Sequence, residues 1–278
     1  MILPITNRCN QKCLFCSADG RRDKTGRSHQ ARLLSGAKDN LVISGGEPTL
    51  SKDIFWLIKE AKKRKLFVEL QTNAVTLCYE SLAAKLASSG VDLFNVNFPS
   101  HSASNSDRIT QTRDLFEKRL KGIRNIQKFK GEVRLTCIVN SLNYKNLEGY
   151  AVFVKENFPR IKYIQFSFIK VMGKAKKNPH ILISYEEASP YLLRAFKRCR
   201  ELDLDFIVDH IPLCYLGPYK KFHIDYQKIK RKEPPVDSMK EKVRIADCLQ
   251  CSLSAYCCGI RRDYLQFFGA KSKVKPVK

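Results

Sequence analysis

Residues 9–16 read CNQKCLFC, with Cys9, Cys13 and Cys16 separated by three and then two residues. Three thiols are an odd number for disulfides and one short of the four ligands that close a structural zinc site. Thiolates ligate soft metals and iron–sulfur clusters. This spacing lets one loop wrap a single cluster with its sulfurs inward. Three protein ligands on a four-iron cluster leave one iron open to a ligand from outside the chain. The loop directly follows a short apolar strand over residues 2–6, and the order of elements beyond it decides the fold.

Further along, strands are expected over 41–44, 67–71, 93–98, 133–139 and 163–169. Helices are expected around 30–34 and over 53–65, 82–89, 114–129 and 147–157. The second of these carries Ile54, Leu57, Ile58 and Ala61 at helical spacing, and the third stops at Gly90. Six strands separated by helices imply a parallel sheet with right-handed crossovers. The fold class is α/β, a partial and open (β/α)6 TIM-like barrel. Polar and glycine residues collect just after the strands: CNQKCLFC, then Gly45-Gly46-Glu47-Pro48, Thr72-Asn73, and the loops at 99–101, 140–143 and 171–175. The carboxyl ends of strands carry the chemistry in such barrels. Residues 1–180 form this core and 181–278 a small cysteine-rich C-terminal extension. In the extension a helix over 185–202 begins with a capping box of Ser184 and Glu187, and 205–208 leads into Cys214. The basic run at 228–232 with Pro234-Pro235 reads as a loop or linker, and the tail 271–278 as disordered.

With those motifs in order at successive strand ends, the sequence resembles the radical S-adenosylmethionine (SAM) superfamily across the whole chain in outline. The resemblance implies that Cys9, Cys13 and Cys16 hold a [4Fe-4S] cluster whose open iron takes the amino and carboxylate groups of SAM. Reductive cleavage then gives methionine and a 5′-deoxyadenosyl radical that abstracts hydrogen from a substrate. The protein aims and shields chemistry that belongs to the cofactors. By the same resemblance the Phe15 backbone meets the adenine. The backbone of Gly45 and Gly46, approachable because no Cβ intrudes, faces the SAM amino group, with Glu47 and Pro48 beside it. Thr72 and Asn73 line the pocket, and Ser100 and Asn140 supply carboxylate and ribose contacts. Asn73 is followed by Ala74 where many relatives have glycine. His101 is a further polar loop residue with either a catalytic or a plain hydrogen-bonding role.

A second group, Cys248, Cys251, Cys257 and Cys258, falls within eleven residues. A zinc knuckle is the competing reading. With Cys214 upstream, Cys248, Cys251 and Cys257 make a four-cysteine site suited to an auxiliary cluster. The region resembles the SPASM and shorter twitch extensions of radical SAM enzymes, whose core reads CxxC-x5-C-x3-C. Arg261 stands where the last cysteine belongs, which implies one auxiliary [4Fe-4S] cluster rather than two. Cys257 keeps the five-residue spacing and is preferred to Cys258. Cys78, Cys137 and Cys199 read as ordinary buried thiols.

Composition bounds the partners. No run of about 20 apolar residues is present, which excludes a membrane-spanning helix, and the opening MILPITNRC lacks the layout of a signal peptide. The expected location is the cytoplasm, where 11 cysteines serve metal or redox sites rather than disulfides. A net charge of +24 favours anionic partners. The leading functional reading is a maturase acting on a peptide or protein, served by an electron donor such as flavodoxin or ferredoxin. The alternative is an RNA-modifying radical SAM enzyme, motivated by Arg21, Arg22, Lys24, Arg27 and Arg32, by Lys170, Lys174, Lys176 and Lys177, and by Lys228, Lys230, Arg231 and Lys232. A non-enzymatic metal- or nucleic-acid-binding protein ranks last, because it leaves the GGEP and TN elements unexplained.

Overall fold

A computed structural model describes residues 1–19, 26–233, 235–269, 274 and 276–277. Seven strands lie in chain order in one parallel sheet, and its first and last strands are not joined to each other. The chain divides into two compact units, Met1–Thr136 with Phe158–Tyr163, and Cys137–Asn157 with Ile164–Lys278.

In the first unit the order is β1 (Ile2–Pro4), α1 (Arg27–Ser35), β2 (Asn40–Ser44), α2 (Ile54–Lys63), β3 (Phe67–Thr72), α3 (Glu80–Ser88), β4 (Leu93–Asn97), α4 (Ala103–Thr110) and α5 (Phe116–Lys128). β5 (Val133–Val139) follows, and its first four residues belong to this unit. Parallel registers such as Leu3 with Ile43, Ile43 with Leu70 and Leu70 with Phe94 run straight across the strands. Leu3, Ile43 and Leu70 are fully buried, as alternation in a half-covered sheet requires. On α2 the residues at helical spacing, Ile54, Leu57, Ile58 and Ala61, form the buried stripe.

The second unit holds the end of β5, then α6 (Leu147–Asn157), β6 (Tyr163–Phe168, from Ile164), α7 (Lys174–Lys177), α8 (Tyr185–Glu201) and β7 (Phe206–Asp209). The unit continues with α9 (Ile224–Lys230), α10 (Val236–Glu241), β8 (Lys242–Val243), β9 (Ile260–Arg261) and α11 (Arg262–Phe268). Its core is aromatic. Phe196 stacks on Phe206 at 4.9 Å, Phe206 on Phe222 at 4.4 Å, and Tyr185 on Tyr264 at 3.8 Å. Tyr264 thus packs into this core, while Phe267 stays 44% exposed.

The sequence reading and the structure differ in several places. The 205–208 segment is a seventh strand, paired in parallel with β6; at four residues it is too short to announce itself by alternation. The expected linker at 228–232 is helical through Lys230, because His223 accepts the Asp225 backbone N–H at 3.0 Å and starts α9. α4 was not anticipated, since its polar sequence ASNSDRIT shows little apolar period. At α8 half of the capping box forms: Ser184 accepts from Glu187 N at 3.1 Å, whereas the Glu187 carboxylate accepts from Tyr144 instead. Arg21, Arg22, Lys24, Pro234 and most of the tail lie outside the described residues.

Candidate active site

In the first unit the cysteine loop is held by its backbone. Lys12 N donates to Thr110 O at 3.0 Å and Leu14 N to Ile109 O at 2.9 Å, so the end of α4 clamps the chain on both sides of Cys13. Cys16 N closes a turn onto Cys13 O. From the other side the segment after β2 docks on the approach to the loop: Gly46 N donates to Thr6 O and Glu47 N to Arg8 O, each at 2.7 Å. A Cβ on Gly45 would lie 2.4 Å from Thr6 O, and one on Gly46 2.2 Å from Arg8 O. The close approach that these glycines permit is therefore to the chain's own backbone.

Glu47 is a hub. Its side chain is buried, 1% exposed. Oε1 accepts from Thr49 N (3.2 Å), Thr49 Oγ1 (2.6 Å) and Thr72 Oγ1 (2.8 Å), and Oε2 from Asn73 N (2.7 Å). Burial holds this carboxyl above its ordinary range, against those hydrogen bonds. Glu47 thus ties the turns after β2 and β3 together. Asn73 continues the connection: Nδ2 donates to Asn10 Oδ1 at 2.7 Å and sits 4.0 Å from Cys9 Sγ, while Oδ1 accepts from Val75 N. Ala74 takes a left-handed conformation, φ 60°, the conformation that explains a preference for glycine there. Burial pushes the Cys13 thiol up to about 12 and the neighbouring Cys9 adds to it, while the guanidinium of Arg119 acts in the opposite sense.

The other expected residues fall as follows. Phe15 is half-buried and Pro48 buried at the first position of a short 3-10 turn. Ser100 is buried and accepts from Ser102 N at 3.1 Å. His101 is half-buried, which lowers its pKa. Asn140 belongs to the second unit. There its amide caps its own loop, with Nδ2 on Ile138 O and Oδ1 on Leu142 N. Cys137 and Cys199 are fully buried, Cys78 half-buried.

In the second unit Cys214, Cys248, Cys251 and Cys257 line one cavity. Backbone N–H groups already point at two of these sulfurs, Gly259 N at Cys257 (3.3 Å) and Val277 N at Cys251 (3.4 Å). Hydrogen bonds to sulfur are among the levers that set cluster properties. Cys258 does not line this cavity. Its thiol hydrogen-bonds with Asp225 and is pushed up to about 12, by burial first. Among the described residues no three His, Cys, Asp or Glu side chains close around a single-ion position, so the fit to a cluster rests on donor chemistry and the shared cavity.

Sequence reading missed several supporting groups. Arg119 on α5 is fully buried. Nη1 donates to Ser106 Oγ at 2.5 Å and Nε to Asn73 O at 3.3 Å. The signal was an arginine within the stripe Phe116, Leu120, Ile123, Ile126, all of which are buried. In the second unit Lys242 and Asp225 pair at 2.5 Å with side chains each 2% exposed, and Ser238 donates to the other Asp225 oxygen. Some basic residues assigned to a nucleic-acid face are already engaged: Arg27 pairs with Asp53 at 2.6 Å and Lys170 with Glu241 at 3.3 Å.

The profile of the Radical SAM superfamily matches residues 3–153. The chain belongs to the radical SAM superfamily. It is an enzyme of that superfamily, which implies SAM and a [4Fe-4S] cluster, and the reading of a non-enzymatic binding protein is thereby set aside. Over 223 residues it is 30% identical to the PqqA peptide cyclase of Bradyrhizobium diazoefficiens, covering 75% of this chain and 57% of that protein. It is 26% identical to the Fe-coproporphyrin III synthase of Methanosarcina barkeri, covering 71% of this chain and 51% of the relative. Among solved structures it shares its fold with SuiB of Streptococcus suis bound to the precursor peptide SuiA, with a TM-score of 0.61 at 18% identity, covering 75% of this chain and 47% of SuiB. The chain thus spans about half the length of these relatives. No helix among the described residues is long and apolar enough to cross a membrane.

Proposed function

We propose that this chain is a radical SAM maturase of a peptide or protein, with Cys9, Cys13 and Cys16 holding the SAM-binding [4Fe-4S] cluster and Cys214, Cys248, Cys251 and Cys257 an auxiliary one. The observation that carries the proposal is the single cavity lined by those last four cysteines, with Cys258 engaged elsewhere. Peptide substrates named for PqqA cyclase and SuiB support the substrate class. When bound, SAM and its cluster supply the 5′-deoxyadenosyl radical, and the auxiliary cluster a place for an electron. The residues do the rest. The loop clamped by α4 carries Cys9, Cys13 and Cys16, the three thiolates assigned to the cluster. The Gly45-Gly46-Glu47 backbone and Asn73 border that loop and are assigned to SAM, as are Phe15, Pro48, Thr72 and Ser100. Glu47 serves by holding the turns in place, since its carboxylate oxygens are engaged by the chain's own donors. Flavodoxin or ferredoxin in the cytoplasm is the assigned electron source.

The test is anaerobic reconstitution with iron and sulfide, followed by iron analysis and dithionite-driven SAM cleavage. The expected outcome is about eight irons per chain, falling to about four in Cys257→Ser and staying near eight in Cys258→Ser, with 5′-deoxyadenosine formed. Synthetic peptides should accelerate cleavage. The net charge of +24 favours one other reading, an RNA substrate; acceleration by bulk tRNA that collapses with salt would transfer the assignment to it.

A further inference from the structure

We propose that Arg119 is the positioning residue of the first cysteine site: its buried guanidinium locks the cysteine loop between α4 and the turn after β3, and its fixed charge makes the cluster held there easier to reduce. The inference rests on the cluster assignment above. Arg119 occupies a position in the buried stripe of α5 where an aliphatic side chain would pack. Burying a guanidinium is expensive unless its donors and charge are used, and here they are. Nη1 reaches Ser106 on α4, the helix whose Ile109 and Thr110 carbonyls hold the backbone on either side of Cys13. Nε reaches the carbonyl of Asn73, whose amide holds Asn10 of the same loop. One side chain therefore reaches both clamps, and the residue whose carbonyl it holds, Asn73, has its amide 4.0 Å from Cys9 Sγ.

Three thiolates bring negative charge into this pocket, and adding an electron increases it. A fixed cation nearby favours the more negative, reduced state, because net charge is one determinant of cluster potential. The electron comes from an external reductant, dithionite in the assay, and no bond is made or broken. Lysine would keep the charge but not the two-point reach of a planar guanidinium.

The test is an EPR-monitored redox titration of the reconstituted full chain, following the signal that changes when SAM is added. That signal isolates the open-iron cluster from any other. In Arg119→Met the reduction equilibrium should fall about tenfold, about 59 mV for a one-electron couple. In Arg119→Lys it should stay within about threefold of wild type. An Arg119→Met signal that titrates with the wild-type protein overturns the proposal. Should Arg119→Met take up no iron, Ser106→Ala decides: it removes one clamp and leaves the charge, so it should keep the potential and lose iron to a chelator several-fold faster than wild type. Unchanged iron retention in Ser106→Ala refutes the locking role. A wild-type chain with no SAM-responsive signal would instead overturn the function on which the inference rests.

Discussion

Gly46→Ala is the sharpest single perturbation of the site. The backbone at Gly46 is not left-handed, so conformational strain plays no part and only space is at issue. The added Cβ would sit 2.2 Å from Arg8 O and 2.6 Å from Arg8 C. Ordinary contact distances require the segment at residues 6–8 to retreat by about 1 Å. That retreat breaks the hydrogen bonds from Gly46 N to Thr6 O and from Glu47 N to Arg8 O. Overpacking costs about 1–3 kcal/mol, and each lost hydrogen bond about 0.5–1.5 kcal/mol net. The expected destabilisation is about 4 kcal/mol on these ranges. Cys9 directly follows Arg8, so displacement carries into the cysteine loop. Urea unfolding of the apoprotein measures the first effect, and iron at the first site after reconstitution measures the second. Gly36→Ala is the control: its Cβ would meet atoms at 3.5 and 3.6 Å, and its stability should stay within about 1 kcal/mol of wild type. A Gly46→Ala protein as stable as that control, with a full complement of iron, would refute the idea that these glycines serve the docking of the strand-two turn onto the loop.

Two predictions concern buried charge. The Glu47 carboxyl titrates above its unfolded value because of burial, so the folded state binds its proton more readily than the unfolded one. Its contribution to stability is fully present below the unfolded value, near 4.5, and is lost as pH rises through the folded value. Denaturation of wild type and Glu47→Gln between pH 4 and 8 should show wild type losing ground relative to the variant as pH rises; a pH-independent difference would contradict the assignment. For Asp225 the sign is opposite. Burial opposes its charge, but the Lys242 ammonium and the neighbouring hydrogen bonds hold it below its ordinary range. Its stabilisation is present above the unfolded value and disappears on acidification through the folded one. Lys242→Met leaves that carboxylate buried without its cation and should cost about 3–5 kcal/mol near neutral pH, read by chemical unfolding. Lys242→Met with Asp225→Leu should cost less than the single change, because the pair leaves together.

Most of the barrel was legible because its periods are local. Ile54, Leu57, Ile58 and Ala61 announce a helix, and alternating strands such as 67–72 announce a sheet. Strand seven and α4 escaped because one is too short and the other too polar for either period to emerge. The candidate site divides in the same way. Cys9, Cys13, Cys16, the GGEP turn and Thr72-Asn73 are spelled by adjacent residues, and so is the CxxC-x5-C array. Their spacing in sequence follows from the reach of one loop around one ligand. What Glu47 does was not legible: its four hydrogen bonds come from Thr49, Thr72 and Asn73, and only folding decides that these donors take its oxygens. The choice between Cys257 and Cys258 likewise depended on which side of the chain faces the cavity with Cys214 and which faces Asp225. Arg119, 46 residues from its partner Asn73, is the extreme case. The sequence by itself determined the candidate cysteines and the order of most elements, since both are written in short-range spacing. Only the tertiary structure decided which polar groups are buried against one another, because desolvation and hydrogen bonding depend on neighbours that the chain brings together across long loops.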